Sequence, residues 1–586
     1  MSRFSSRLIG GISGVFLTLS LLSFVGCGDD TDLVRDIQNR RQDRAQERSQ
    51  QDHLGEVFAL LQQYVDLEPD RAKRQIAYHL NRWSESREEV NAEPTSLVKT
   101  LREVFSLEEL TKQLTNQTFQ ATDTQHLRDC FLFSQLYGWI DTPNLDDPLL
   151  EAWFAEKEKD WEPADVDTLR TATRLFDWTV RNVALEYDIP ASPAPPGPSF
   201  SFGMKFRGAG YRQTDYQTAM RGIGDALQRA GVFTQLCRQA GITAAVLATI
   251  DGQTGELKPF CIGVLVADEL YLFEPKLGIF VPGPGQVGIA TLSEARRDAL
   301  VLRRLGIAGL DQFTYKTTKS DVQQCAALIN VLPEAVALRM KKLQGGLTGN
   351  RRMVVYVDAD QMAAQLDAVT GISSVRLWDV PVLAEIYKAT CDAHAERDPL
   401  FAFWYVARWA MMESDVENSE NLARGRWLHL LGQFTDDEDE SVRGARTLYL
   451  SQRAPEFEIE DLRINVDLQQ AYGIRRELGT DSADYERQVA QIQGFIRMGK
   501  RTATYWLSLL QADDGRRETA EGWIAKRVLD EKQQSFWIPS ARYNLARLAE
   551  SLGQTERALE LYKREGEPQE HGNRIRARLL SRAKSE

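Results

Sequence analysis

Apolar residues recur every three or four positions in the chain after residue 53. Val57, Leu60, Leu61 and Tyr64 are one example of this spacing. The spacing places these side chains on one face of a helix, where they can be buried together. Few turn-forming residues interrupt the pattern before residue 160. It therefore predicts an α-helical domain over 54–160, with no recognisable chemistry of its own.

From residue 166 the pattern predicts two helices followed by strands. The first helix begins near 166, and the second covers about 224–240. Gly241 follows the second helix and suits its C-cap, because glycine readily adopts a left-handed backbone conformation. Apolar runs rich in β-branched residues then predict strands. These cover 242–250, 260–266 and 269–273. The order predicts a small α+β domain over 166–300.

Beyond residue 300 the pattern becomes helical again, with one interruption. Residues 296–345 predict helices joined by short turns. Met353–Val357 predicts a strand, which a helix follows, and 373–383 predicts a further extended piece. We therefore expect an α/β connecting region over 301–395 and a helical region over 396–586.

Two segments near the C-terminus share the same residue types at one constant offset. Ala503, Tyr505, Leu507, Leu510, Gly515 and Ala520 recur as Ala541, Tyr543, Leu545, Leu548, Gly553 and Ala558. A glycine between two helices, with an alanine where the helices approach, resembles tetratricopeptide (TPR) repeats. The resemblance implies helical hairpins that bind a protein or peptide. Residues 423–450 are a weaker candidate for a third copy, and a non-repetitive helical bundle is the alternative.

The N-terminus has the pattern of an export signal. Arg3 and Arg7 precede the uncharged apolar stretch 8–25, whose last residue, Val25, is followed by Gly26-Cys27. Small residues before a cysteine resemble the lipobox of bacterial lipoproteins, which implies that Cys27 is lipidated and anchors the protein to a membrane. The alternative is an uncleaved signal anchor. Residues 28–53 are polar and predict a tether. Either anchor places the protein outside the cytoplasm, in the bacterial cell envelope.

The domain over 166–300 resembles the transglutaminase-like, papain-related fold. The matching positions occur in the order of that family. They are Trp178, Asn182, Gly224, Asp225, Ala230, Phe233, Leu236, Arg238, Gly241, Ile242, Pro275 and Gly278. The expected fold class is therefore mainly α, with a small α+β transglutaminase-like domain and C-terminal TPR-like helical hairpins.

The catalytic residues of that family do not carry over. By register the nucleophilic cysteine, which needs a helix N-terminus and an imidazole to lower its pKa, is replaced by Ala226. The family histidine maps to Pro259 or Phe260, and the chain has no histidine between His126 and His394. Glu274 keeps a carboxylate at the third position. The resemblance thus implies a degenerate site at Ala226, Phe260 and Glu274, and a pseudoenzyme.

Charge and composition exclude several other functions. The net charge of −13 argues against nucleic-acid binding, which needs a basic surface. The six cysteines form no C-x-x-C pair, and Cys237 and Cys261 fit a hydrophobic core. Gly283–Gly288 matches a dinucleotide-binding pattern, but its prolines remove backbone donors. The acidic run 436–440 lacks calcium-loop spacing. We expect neither a cofactor nor a metal.

These patterns favour a membrane-anchored, non-catalytic binding or scaffold protein. The alternative is a cysteine-dependent hydrolase or acyl transferase whose nucleophile has moved elsewhere in the fold. A cysteine, serine or threonine close to a histidine would favour that alternative. A structural spacer is a third possibility, and it would have no concave groove in its repeats.

Overall fold

In the computed structural model, the amphipathic segments of the N-terminal part form helices packed on one core. They are α1 His53–Gln62, α2 Pro69–Glu85, α3 Leu107–Thr115, α4 Asp123–Ile140, α5 Glu151–Lys157 and α6 Pro163–Asn182. Each buries an apolar stripe, as at Leu80 in α2 and Leu136 in α4. The structure describes residues 52–101, 105–141, 146–186, 213–385, 396–397, 420–437, 442–472, 474, 481–529 and 535–584. Cys27 and almost all of the tether lie outside these residues.

Across the described residues, a mixed six-stranded sheet has the order β6-β5-β4-β3-β7-β8. Its strands are β3 Ala244–Ile250, β4 Leu257–Val266, β5 Glu269–Glu274, β6 Ile279–Phe280, β7 Cys325–Ile329 and β8 Ile372–Leu377. Neighbouring strands are antiparallel except β7 and β8. Two further short strands, β1 Ala184–Leu185 and β2 Ile223–Gly224, pair with each other. Ala267 and Asp268 have positive φ angles of 48° and 62° and form the tight turn between β4 and β5.

Helix α8, Ala226–Gln239, packs against the sheet and against α4, α6 and the short helix α7, Asp215–Arg221. It ends as the glycine pattern predicts, because Gly241 has a φ of +73°. Phe176, Phe233 and Phe273 join α6, α8 and β5, with ring centroids 5.1 to 5.4 Å apart. These aromatic contacts fix the helix over the sheet.

Two secondary-structure predictions beyond residue 300 are wrong. Cys325–Ile329 is a strand and not part of a helix. All of its residues are buried, so its two faces show no polar alternation. Met353–Val357 is extended but pairs with no strand. The side chains of Gln239 and Gln344 bond its backbone instead. The other helices of this region are α9 Leu292–Arg297, α10 Ala299–Arg303, α11 Leu338–Gln344 and α12 Ala359–Asp367.

In the C-terminal region, every regular element that the structure describes is a helix. Its helices are α13 Glu420–Leu430, α14 Ala445–Ser451, α15 Glu456–Asp461, α16 Val466–Ala471, α17 Ser482–Asp513, α18 Arg517–Trp523, α19 Ile538–Ser551, α20 Thr555–Tyr562 and α21 Glu570–Ala583. A short π-helical turn, Ile524–Val528, follows α18. The expected class of a mainly α protein with a small amount of β structure is confirmed.

Both segments with recurring residues are helix–turn–helix units, α17–α18 and α19–α20. Gly515 and Gly553 occupy the two turns with φ angles of +75° and +71°. The relation of these hairpins to TPR repeats stays a prediction.

The predicted regions 54–160, 166–300, 301–395 and 396–586 pack together, and Leu54–Glu586 forms one compact unit. Helix α4 contacts α8, β7 and β8 extend the sheet, and α19 contacts α6. In the described part of the chain, no helix is both long and apolar enough to span a membrane.

Candidate functional site

Ala226 is the first residue of α8, at the N-terminal end of the central helix. Asp225 caps the helix through a reciprocal pair of hydrogen bonds. Its Oδ1 accepts from the Gln228 backbone N–H at 2.8 Å, and Gln228 Oε1 accepts from the Asp225 backbone N–H at 2.9 Å. The helix start is therefore well formed. A methyl group stands where the chemistry of the resembling family needs a thiolate.

Phe260, the second position of the predicted degenerate site, lies in β4 and supplies no proton acceptor. The neighbouring Pro259 pairs with Ala248 of β3 at an irregularity in the ladder. Two histidines of the described chain bond backbone carbonyls elsewhere. His126 bonds Val355 O at 2.8 Å, and His571 bonds Leu305 O at 2.7 Å.

Glu274 ends β5 and is buried, with 4% of its surface exposed. Burial raises the pKa of its carboxyl group to about 7, and hydrogen bonds from the backbone N–H groups of Leu277 and Lys276 offset only part of this rise. The Leu277 N–H donates to Glu274 Oε2. The carboxyl group is thus held by the loop that follows its own strand.

Arg229 is a buried residue of this site that the sequence analysis missed. Its guanidinium donates to Val183 O at 2.8 Å, to Pro275 O at 3.1 Å and to Gln569 Oε1 at 2.7 Å. Burial lowers its pKa to about 10. It lies one turn after Ala226 on α8, and this spacing is the only signal in the sequence. Arg229 joins α6, the loop after β5 and the C-terminal segment.

The C-terminal segment of the chain covers the loop after Glu274. Gln569 Nε2 donates to Leu277 O. Gly572 of α21 packs so closely that a Cβ atom there would lie 1.7 Å from Leu277 O. Between Arg229, Tyr543 and Gln569 a cavity of about 10 Å³ remains. This is roughly the space of one water molecule. The chain itself thus fills the space beside the loop that follows Glu274.

The cysteines nearest this region are part of the core. Cys237 and Cys261 are buried, and burial raises the pKa of both thiols. Cys325 is buried in β7, and burial raises its pKa to about 12. At neutral pH such thiols stay protonated and are poor nucleophiles.

Cys130 and His126 form the contact that the alternative function requires. They lie one turn apart on α4, with Cys130 Sγ 3.5 Å from His126 Nε2 and 3.8 Å from Nδ1. The sequence spacing of four residues could have revealed this pair. Burial raises the pKa of Cys130 to about 12 and lowers that of His126 to about 4. Because Nε2 faces the Val355 carbonyl, it carries the proton, and only Nδ1, 3.8 Å from the sulfur, is left to accept one from the thiol.

The remaining candidate motifs have structural roles. Gly285 O, in the glycine-rich loop, accepts a hydrogen bond from Arg582. Asp436 binds Gly444 N at 2.8 Å and Thr447 Oγ1 at 3.0 Å, whereas 438–440 lie outside the described residues. Where the structure describes the chain, it groups no three histidine, cysteine or acidic residues in a geometry that could hold a metal ion.

No protein-family model, curated protein or solved structure matches this chain. The transglutaminase-like and TPR-like resemblances therefore rest on the residues quoted above, and both stay predictions.

Proposed function

We propose that this protein is a non-catalytic binding or scaffold protein of the bacterial cell envelope, anchored to a membrane by a lipid on Cys27. The observation that carries the proposal is the degenerate site. Ala226 begins the central helix, and the chain's own Gln569 and Gly572 pack on the loop after Glu274. A helix that begins with alanine has no nucleophile to form the covalent intermediate that the chemistry of the resembling family needs.

Within this proposal the two binding regions have different partners. The hairpins α17–α18 and α19–α20 bind a protein or peptide, and the transglutaminase-like domain binds a peptide or glycopeptide without cleaving it. The contact between α6 and α19 supports a rigid scaffold. Asn544 Nδ2 of α19 donates to Arg181 O of α6 at 3.0 Å.

An activity assay tests the non-catalytic role. We expect wild-type protein to release no product above buffer from an amide substrate, with or without an added amine. Cys130→Ala, Cys237→Ala and Cys261→Ala should give the same result as wild type. Turnover that Cys237→Ala or Cys261→Ala abolishes would contradict the proposal.

The Cys130–His126 contact favours the second candidate, a cysteine-dependent hydrolase or acyl transferase. It requires a rearrangement that exposes the thiol and frees His126 from Val355. Turnover lost in Cys130→Ala and in His126→Gln, but kept in Cys237→Ala, would establish this candidate in place of the first.

Mass spectrometry of the mature protein tests the anchor. We expect a chain that begins at an acylated Cys27 and fractionates with membranes, and a Cys27→Ala variant without the lipid. A mature chain with an unmodified Cys27 would contradict the lipid anchor. Capture of partners from envelope extracts with the lipidated protein then tests the scaffold role, with a chain that lacks α17–α20 as the comparison.

A further inference from the structure

A cleft of about 270 Å³ opens at the C-terminal end of α8, the opposite end from Ala226. We call it the α8 cleft. Its walls are the last turns of α8, the first residues of β3, the end of β7, the extended segment 354–358 and α12. Small-molecule sites in proteins begin at about this size, roughly 300 Å³. The cleft fits a ligand as large as a dipeptide.

Hydrogen bonds between the walls hold the α8 cleft open. Gln239 forms a matched pair with Val354, since its Nε2 donates to Val354 O at 2.9 Å and its Oε1 accepts from Val354 N at 2.9 Å. Thr243 Oγ1 donates to Gln365 Oε1 at 3.0 Å and joins β3 to α12. A cleft held in this way costs little ordering on binding.

Arg238 places a positive charge on the wall of the cleft. Its Nη1 donates to Gln235 Oε1 at 2.9 Å, and no carboxylate of the described chain forms an ion pair with it. Burial lowers its pKa, and the charge of Asp215 offsets only part of this effect. Asp215 Oδ2 already accepts hydrogen bonds from Asn330 at 2.8 Å and from Gln235 at 2.9 Å. An anionic ligand group would therefore be stabilised by an ion pair with Arg238.

Asp358 supplies an exposed acceptor on the wall of the same cleft, and its Oδ1 also caps α12 by accepting from Gln361 N. Asn330 lines the cleft too, but it is only 1% exposed, and its Nδ2 donates to Asp215 Oδ2 and Thr234 Oγ1. Its Oδ1 accepts no hydrogen bond within the described residues and is itself buried, so a ligand in the cleft does not reach it. A ligand with an N–H donor would instead bond the Asp358 carboxylate.

We propose that the α8 cleft binds the C-terminal end of a short peptide, with its free carboxylate on Arg238 and a peptide N–H on the Asp358 carboxylate. One cation and one acidic acceptor in a single cleft suit a ligand that carries both a carboxylate and N–H donors. An inorganic anion pairs with Arg238 but brings no N–H donor to Asp358. The inference goes beyond the proposed function, because the cleft uses no residue of the degenerate site.

Titration calorimetry of the whole protein with N-acetyl-alanyl-alanine tests this inference. We expect saturable binding to wild type, and at least tenfold weaker binding of the same peptide with an amidated C-terminus. Arg238→Met should weaken binding of the free acid at least tenfold. Arg74→Met, on the exposed side of α2, is the matched control and should bind like wild type. Met362→Trp should also abolish binding, because the larger side chain fills the cleft without removing a charge.

Three results would overturn the inference. The first is no binding of the free acid to wild type. The second is equal binding of the free acid and the amide. The third is displacement of the peptide by inorganic phosphate at equal concentration, which would mean that the cleft binds any anion. If Arg238→Met fails to fold, Met362→Trp and the amidated peptide still decide the outcome.

Discussion

At the scale of single residues, burial sets the ionisation of Glu274, the third position of the predicted degenerate site. Hydrogen bonds from the loop N–H groups of Leu277 and Lys276 offset only part of the effect of burial on its pKa. Its pKa of about 7 lies well above the ordinary value of 4.5. A carboxyl group in this state is protonated in mildly acidic solution and becomes a buried charge above neutrality.

We expect Glu274→Gln to remove a pH dependence of stability. Between pH 4.5 and pH 7 the unfolded chain has released the proton that the folded protein still holds, so the free energy of unfolding of wild type falls as pH rises. Glutamine has no proton to release. The variant should therefore match wild type near pH 5 and be more stable at pH 8, by about 2–3 kcal/mol.

Urea unfolding at pH 5 and pH 8 measures this difference. Glu256→Gln, at an exposed position, is the control and should show no comparable change between the two pH values. A Glu274→Gln variant that is less stable than wild type at pH 8 would show that the charged carboxylate stabilises the fold.

At the scale of elements, glycines determine where helices turn and how closely they pack. Gly515 and Gly553 provide left-handed turns in the two C-terminal hairpins, and a Cβ atom at either position would meet open space. Gly572 differs, because there the close approach of Leu277 O leaves no room for a Cβ atom.

We expect Gly515→Ala and Gly553→Ala to reduce stability by similar amounts, about 1 kcal/mol each, because only the positive φ angle opposes alanine. Gly494→Ala, in an open position within α17, should be neutral or slightly stabilising. Thermal unfolding of the three variants measures the effect. A large cost at one turn and none at the other would argue against equivalent hairpins.

We expect Gly572→Ala to loosen α21 from the loop after β5, with a loss of about 1–3 kcal/mol in the free energy of unfolding. Hydrogen exchange should increase in the loop 274–278, which contacts this glycine. Gly522→Ala in α18, where a Cβ atom meets nothing within 4 Å, is the matched control. Unchanged exchange in the loop would mean that α21 does not protect it.

At the scale of the whole molecule, a buried network of charges joins the N-terminal helices to the C-terminal ones. Arg576 donates to both oxygens of Asp147 at 2.9 Å and to Glu550 Oε2 at 2.6 Å. Burial raises the pKa of Glu550 to about 7, and Arg547, which also bonds it, offsets part of this rise. Segments far apart in sequence are therefore held together by buried ion pairs, in which each charge is stabilised by its partners.

We expect Arg576→Met to destabilise the protein by about 3–5 kcal/mol, because Asp147 and Glu550 would stay buried without this counter-charge. Adding Glu550→Gln should recover part of the loss. Lys584→Met removes an exposed charge just after the C-terminal end of α21, the helix that contains Arg576. It should reduce the free energy of unfolding by about 1 kcal/mol or less. Denaturant unfolding measures the stability of all three variants. An Arg576→Met protein that is no less stable than Lys584→Met would contradict the role of the network.

Local patterns predicted the central helix and the strands beside it. The helix ending before Gly241 and the strands around the Ala267-Asp268 turn lie within a few residues of their predicted positions. The strand Cys325–Ile329 was missed because Ile329 is its only β-branched residue, whereas its alanines and leucine favour helices.

By itself, the sequence determined the central helix and the strands around the Ala267-Asp268 turn, the alanine at position 226 and the apolar run before Cys27, because each depends only on neighbouring residues. Tertiary structure alone decided that Gln569 reaches Leu277, that Arg229 joins three segments, and that Arg238 and Asn330 share one cleft. These contacts join residues remote along the chain. Their energies come from burial and from paired polar groups, which no local pattern of residues records.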